Sequence, residues 1–293
     1  MAKILNFGSL NIDYVYSVDH FVMPGETTSS SKLELFCGGK GLNQSIALSR
    51  AGATVYHAGV IGKNGEMLTE TLKEANVNID FVTQIDVDNG HAIIQLDKKG
   101  ENCIILHEGS NACISKEHIE KTFEFFEKDD FLVLQNEINN IPYIMELAQA
   151  KGIKIVLNPS PIDENITQLP LEYVDYFILN RIEAMEILKT KSEENLLEKL
   201  ATKFPNAHIV LTLGEHGSKY KYKDIEYEQG IFKTNVVDTT AAGDTFLGYF
   251  VACISKKEDV KTALEISAKA ASITITQKGA SNSIPFLQNI LKK

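Results

Sequence analysis

Cysteine is scarce in this chain, with Cys37, Cys103, Cys113 and Cys253 the only four in 293 residues. None forms a Cys-x-x-Cys pair or a zinc-ligand spacing, which argues against a disulfide-stapled scaffold and a structural zinc site. The thiols read as free. Basic residues are outnumbered, 29 Lys plus Arg against 39 Asp plus Glu, for a formal charge of −10. No basic block exceeds a pair such as Lys98-Lys99 or Lys256-Lys257. Nucleic acid and anionic membrane are therefore not expected as main partners, although a local basic pocket for an anionic substrate remains compatible. No stretch approaches the ~18 uninterrupted apolar residues of a membrane span. The apolar run at the start ends at Phe7, short of the roughly 7–15-residue apolar region of a signal peptide. A reduced, soluble, cytoplasmic protein is the expectation. Repeats, low-complexity tracts and Gly/Ser linkers are missing as well, so one core is expected over 1–293.

What is present is ordinary globular composition, 44% apolar and 23% charged. A chain of this length buries roughly three quarters of its unfolded surface without staples. Short apolar runs recur at 4–7, 55–60, 131–134, 154–157, 176–179 and 208–213, without strict alternation, as strands covered on both faces of a parallel sheet do. Between them the spacing predicts helices over 42–51, 66–75, 116–127, 141–151, 182–189 and 193–204. Alternation of this kind means an α/β domain with a mainly parallel sheet and helices on both sides. Segments 14–37 and 90–108 break the rhythm and read as β-ribbon, the second folded over a Lys98-Lys99-Gly100 turn. Consecutive apolar positions at 92–96 and 103–106 predict a small sheet covered on both faces, one over a ligand and the other by a second copy of the chain.

Three local patterns carry chemistry. Asp238-Thr239-Thr240-Ala241-Ala242-Gly243-Asp244 precedes apolar residues at Phe246, Tyr249, Phe250 and Cys253, a loop running into an amphipathic helix. The amides of Ala241, Ala242 and Gly243 then lie at a helix N-terminus, where unpaired N–H groups attract an anion. Asp244 as mere charge would repel that anion; as a general base it would take a proton from an attacking hydroxyl. An isolated Gly-Asp would read instead as a simple helix cap. Next, Cys37-Gly38-Gly39-Lys40-Gly41-Leu42-Asn43-Gln44 lets backbone approach a ligand and sets Lys40 and Asn43 at a helix start. It fits neither a Walker A loop nor the dinucleotide Gly-x-Gly-x-x-Gly pattern, and alone it also reads as a turn with a solvated lysine. Third, Gly8-Ser9-Leu10-Asn11-Ile12-Asp13 follows the first strand, where open α/β sheets bind ligands. Asn11 and Asp13 suit two sugar hydroxyls, or else satisfy their own turn.

Together with Asn180-Arg181-Ile182-Glu183, Thr212-Leu213-Gly214 and Lys278-Gly279-Ala280, these motifs resemble those of the ribokinase-like (PfkB) carbohydrate kinases, in the family's order, from Ile4 to about Pro285. The resemblance implies a three-layer α/β/α fold with a β-sheet lid. It implies transfer of the γ-phosphoryl group of ATP to the primary hydroxyl of a small sugar, D-ribose first. By the same resemblance Asp244 is the catalytic base, with Ala242 and Gly243 as its anion hole. Asn11, Asp13, Gly39, Lys40, Asn43 and Glu137 fall on sugar-binding positions. Asn180 and Glu183 match the element that organises Mg²⁺ and phosphate through water. Thr212, Gly214, Gly217, Ala241 and Gly243 lie on the nucleotide side. Asp238, Thr240, Thr274, Gly279 and Ser283 match a site for K⁺, and a homodimer through the lid is implied.

Three departures lie near the lid or nucleotide. Gly62-Lys63-Asn64-Gly65-Glu66 is shorter than the usual acidic stretch, Arg181 replaces a common acidic residue, and Asn89-Gly90-His91 lacks a Ser/Thr-Gly pair. Another ketose, an aldose or a nucleoside is the alternative acceptor, and a non-catalytic sugar sensor the alternative class. An intact Asp244 disfavours the sensor, which has no need of a base.

Overall fold

A computed structural model describes residues 2–291. The elements in chain order are β1 (Lys3–Phe7), β2 (Asn11–Ser17), β3 (Lys32–Gly38), α1 (Lys40–Arg50), β4 (Thr54–Ile61), α2 (Glu66–Glu74), β5 (Asn78–Gln84), β6 (Gly90–Leu96) and β7 (Asn102–His107). There follow α3 (Lys116–Phe123), β8 (Phe131–Gln135), α4 (Ile141–Lys151), β9 (Lys154–Asn158), β10 (Tyr176–Asn180), α5 (Arg181–Leu188) and α6 (Leu196–Lys203). The remainder is β11 (His208–Thr212), β12 (Ser218–Tyr222), β13 (Ile225–Gln229), α7 (Ala242–Ser255), α8 (Val260–Thr274) and α9 (Leu287–Leu291). The large sheet runs β13-β12-β11-β10-β9-β8-β1-β4-β5, parallel from β11 to β5 and antiparallel at the β12 and β13 edge. A separate sheet runs β3-β2-β6-β7.

The strands that look uniformly apolar in sequence feed two cores by alternation, because successive side chains point to opposite faces. Ile4, Val133, Val156, Ile178 and Val210 pack with Leu42 and Ile46 of α1, Leu68 of α2, Phe250 of α7 and Leu264 of α8. Leu5, Leu132, Leu134, Leu157 and Leu211 pack on the other side with Ile119 of α3, Ile144 of α4, Ile187 of α5 and Leu200 of α6. This is the expected three-layer α/β/α architecture with a small additional β-sheet. No helix among the described residues is long and apolar enough to cross a membrane.

Helix positions agree closely with the sequence spacing, as for 141–151, while 116–127 ends early at Phe123 and 208–213 ends at Thr212. β5, β12, β13 and α8 are additions. β12 and β13 alternate Lys or Glu with Tyr at the sheet edge, so they carry no continuous apolar run. α8 packs on α7 largely through small residues, Ala263, Ser267 and Ala270, which give little hydropathy contrast. Every residue of β7 is exposed, with Ile105 at 61%, so the expected cover of the small sheet does not come from this chain's own described elements.

α7 crosses α1 at its closest point through Gly248. A Cβ there would lie 2.3 Å from the Ala47 Cβ and 2.8 Å from the Leu48 amide nitrogen. Gly248→Ala is therefore predicted to destabilise the fold by about 1–3 kcal/mol despite alanine's better helix propensity, because the two helices must move apart. Denaturant unfolding checks this.

Candidate active site

The carboxyl ends of the parallel strands and the N-termini of α1 and α7 converge on one region, the place where open α/β sheets bind ligands. The loop after β1 supplies Ser9 and leads into β2 with Asn11 and Asp13; the loop after β8 supplies Glu137; β9, β10 and β11 end at Asn158, Asn180 and Thr212. The start of α1 is pressed onto the first loop. A Cβ at Gly41 would lie 2.4 Å from the Ser9 amide nitrogen, and one at Gly38 would lie 2.0 Å from an Asp13 carboxylate oxygen. The glycine motif thus serves close approach. It lets α1 begin beside Ser9 and leaves room for the Asp13 carboxylate.

Asp244 is the third residue of α7 and 8% exposed. It does not cap its helix. Ala241 holds the N-cap position in the left-handed region, φ 59°, an uncommon conformation for alanine, without a side-chain cap. The Asp244 carboxylate instead accepts hydrogen bonds from α1, from Gln44 Nε2 to Oδ1 at 2.9 Å and Asn43 Nδ2 to Oδ2 at 3.2 Å. The Ala242 amide donates to the Thr239 carbonyl at 3.2 Å. Those of Gly243 and Asp244 have no protein acceptor among the described residues. These two N–H groups therefore form the open anion-attracting end of the helix, with Ala242 contributing to the turn that shapes it.

Lys40 opens α1, and its amide donates to Glu137 Oε2 at 3.0 Å, which also accepts from the Ser9 hydroxyl. Burial works against the Lys40 charge, but the carboxylates of Asp244, Glu137 and Glu183 outweigh it and raise its pKa. Burial raises Glu137 despite its Ser9 and Lys40 contacts. Burial, and then the nearby Glu137, pushes Asp13 up to about 7. Asn11 is 7% exposed, and its Oδ1 accepts from Asn111 Nδ2 at 2.7 Å.

On the other flank Asn180 and Glu183 form a reciprocal capping box at the start of α5. Asn180 donates to Glu183 through its amide (2.9 Å) and its side chain (2.8 Å). Burial raises Glu183 as well. Thr212 ends β11 and donates to the Leu179 carbonyl at 3.3 Å; Gly214 and Gly217 follow in a short 3-10 turn with positive φ. Asp238 joins two loops, accepting from the amide and hydroxyl of Thr240 at 2.9 and 2.6 Å and from the Gly279 amide at 3.0 Å. Burial opposes its charge, yet these donors and Lys278 lower its pKa. Thr274 bonds Thr245 of α7 at 3.0 Å, and Ser283 bonds the Ala280 carbonyl at 2.8 Å. Among the described residues no three His, Cys, Asp or Glu side chains gather to hold a metal ion.

The structure thus groups twelve of the predicted residues in two arrays, with the others at the start of α7 and in the loops and helix beside it. Asn11, Asp13, Gly39, Lys40, Asn43, Glu137 and Asp244 lie around the α1 start, while Asn180, Glu183, Thr212, Gly214 and Gly217 lie along the neighbouring strand ends. The sequence reading missed Ser9, Gln44, Asn111 and Gln135, whose amides and hydroxyl hold the others. Gln44 stood next to Asn43 in the glycine motif, whereas Asn111 and Gln135 carried no motif. A separate cleft of about 380 Å³ lies against Tyr14, Tyr16, Lys63, Asp88 and His91, on the face of β2 opposite Asp13, and contains none of the predicted site residues.

Residues 1–287 match the pfkB family carbohydrate kinase pattern. The chain belongs to that family. The kinase is 32% identical over 301 residues to a ribokinase of Staphylococcus aureus, with 98% of each chain covered. Its fold superposes on a ribokinase of Cryptococcus neoformans in complex with ADP, with a TM-score of 0.88, 29% identity and coverage of 100% and 99% of the two chains. It also superposes on an Arabidopsis thaliana ribokinase complexed with ribose and ATP, with a TM-score of 0.87, 25% identity and coverage of 99% and 98%.

The raised Asp13 gives the kinase a pH-dependent stability of definite sign. Its folded pKa near 7 lies above the ordinary 3.8, so its contribution is complete in acid and is lost as pH rises from about 4 through 7. Unfolding free energy measured in denaturant at pH 5 and pH 8 is expected to fall less steeply between them for Asp13→Asn than for the parent.

Proposed function

We propose that this kinase transfers the γ-phosphoryl group of ATP to the primary hydroxyl of a small sugar, with D-ribose converted to D-ribose 5-phosphate. The observation that carries the reading is the buried Asp244 carboxylate, held from α1 beside the two free amides at the start of α7. An ionised carboxylate is an acceptor, so it suits removal of the hydroxyl proton as the sugar oxygen bonds to phosphorus and the bond to the ADP oxygen breaks. The Gly243 and Asp244 amides suit the charge on the phosphoryl oxygens. Similarity to ribokinases solved with ADP and with ribose and ATP supports the choice of nucleotide and acceptor.

In this reading Asn11, Asp13, Gly39, Lys40, Asn43 and Glu137 orient the sugar. Their fixed geometry, with Glu137 pinned by Ser9 and the Lys40 amide, supplies the positioning on which phosphoryl transfer depends. Thr212, Gly214, Gly217, Ala241 and Gly243 flank the nucleotide. Asn180 and Glu183 would hold Mg²⁺ through water, since the carboxylate oxygens are already engaged in the α5 cap. Mg²⁺ supplies charge neutralisation on the phosphates. Asp238, kept charged and joining the Thr240 and Gly279 loops, suits K⁺ held with Thr240, Thr274, Gly279 and Ser283. Four free thiols, two of them exposed, support a reducing, cytoplasmic setting.

The small sheet acts as a lid, 14–37 and 90–108, and as the contact with a second copy. Asp13 shares its face with Phe36, Ala92 and Leu106 by cross-strand register. Leu106 there and Ile105 on the opposite face are 54% and 61% exposed, apolar area suited to burial in a homodimer. A sedimentation mass of two chains at micromolar concentration is expected; a mass of one chain overturns the dimer.

The deciding assay is ADP release from Mg-ATP with D-ribose, 2-deoxyribose, D-fructose, tagatose and nucleosides, with and without K⁺. Selective, K⁺-stimulated turnover of ribose is expected, with Asp244→Asn lowering kcat about 10²–10⁴-fold while folding is retained. Turnover of another acceptor keeps the chemistry and changes the sugar. Saturable sugar binding without turnover gives the sensor.

A further inference from the structure

Behind Asp244 lies a chain of buried amides, on its side toward β1 and β8. Gln44 Nε2 donates to Asp244, and Gln44 Oε1 accepts from Gln135 Nε2 at 2.7 Å. The same Gln135 nitrogen donates to Asn6 Oδ1 at 2.9 Å, and Asn6 Nδ2 donates to the Gly41 carbonyl and the Ser45 hydroxyl, each at 2.7 Å. Asn6, Gln44, Gln135 and Ser45 are all 0 or 1% exposed, so bulk solvent does not reach them.

The polarity of this chain is fixed at one end. A backbone carbonyl is only an acceptor, so Gly41 requires the NH₂ of Asn6 and turns the Asn6 oxygen toward Gln135. That oxygen requires the Gln135 NH₂, which in turn faces the oxygen of Gln44. The Gln44 NH₂ is left pointing at Asp244 at 2.9 Å, with a longer contact of 3.4 Å to Asn158 Oδ1. Were Gln44 flipped, its oxygen would face the carboxylate, two acceptors in contact. A side chain at position 8 would also disturb the chain, since a Cβ there would lie 2.3 Å from Gln135 Oε1.

We propose that Gln135 is a positioning residue for phosphoryl transfer, acting through Gln44 so that only a donor is presented to the Asp244 carboxylate. The inference rests on the reading of Asp244 as the base. It adds a determinant on the strand next to β1, two side chains removed from the reacting atoms.

Gln135→Glu replaces the shared donor with an acceptor, to which Gln44 can donate by turning its oxygen onto Asp244. The expected result is a kcat lower by about 10–100-fold, with KM for sugar and ATP within about threefold and the acid limb of the pH–kcat profile moved to higher pH. Gln135→Met, neutral and similar in length, is expected to lower kcat less and leave the profile closer to the parent. In an Asp244→Asn background Gln135→Glu should add less than about twofold to the loss, because the group it acts through is gone. Folded variants with parental kcat and pH profile overturn the proposal, as does a loss that multiplies fully with that of Asp244→Asn. Full activity of Asp244→Asn alone would instead remove the base reading. Should both Gln135 variants fail to fold, the side-chain amide resonances of Gln44 and Gln135 decide the matter, compared between the parent and Asp244→Asn. Both are expected to move, and unmoved Gln135 signals overturn the relay.

Discussion

The close crossing of α1 and α7 is the constraint on which the site depends. Two helix N-termini repel one another electrostatically, since each concentrates unpaired N–H groups, and they come together only where packing holds them. Here Gly248 against Ala47 supplies that packing along the shared core with Leu42, Ile46 and Phe250. The positive ends so gathered offset four clustered carboxylates, Asp13, Glu137, Glu183 and Asp244, with Lys40 the cation among them. Burial raises three of these acids, yet each is tied down by specific donors or, for Asp13, by a glycine that makes room for it.

Each site carboxylate is thereby assigned a different local solution. Glu137 is fixed by a hydroxyl and a backbone amide, Glu183 by the reciprocal cap of its own helix, and Asp244 by two side-chain amides from another helix. Asp244 is set apart because its ligands come from side chains whose amides can turn either way. For Gln44 the orientation is imposed from further back, by the Gly41 carbonyl through Asn6 and Gln135, close to where α1 is seated on the Ser9 loop. Placement of the helix and orientation of the Gln44 amide at Asp244 thus have a common origin, in a buried polar network whose Gln135 Oε1 has no partner among the described residues.

The small sheet presents the opposite situation. It is joined to the rest of the chain through the site, where Asn11 is bonded to Asn111 and Asp13 lies near Glu137, while every residue of its far strand β7 is exposed. Strands with so little burial are the low-stability end of a fold, which suits an element that covers and uncovers a ligand.

Sequence alone determined the layer architecture, because runs apolar on both faces and separated by helix-length segments have one economical arrangement, and its contiguous motifs marked the candidate positions at the starts of α1 and α7. Asp244, Lys40, Asn43, Asn11 and Asp13 were legible since each sits at an element end whose local pattern marks it. The edge strands β12 and β13 and the helix α8 were not, as their alternation and small side chains carry a weak signal. Nor was the role of Gln135 or Asn111, which lie far along the chain from the groups they bond and resemble any other polar residue at a strand end or loop. Hydrogen-bond direction is a property of three-dimensional partners, so only the tertiary structure decided which amides face Asp244 and which amides at the start of α7 remain free.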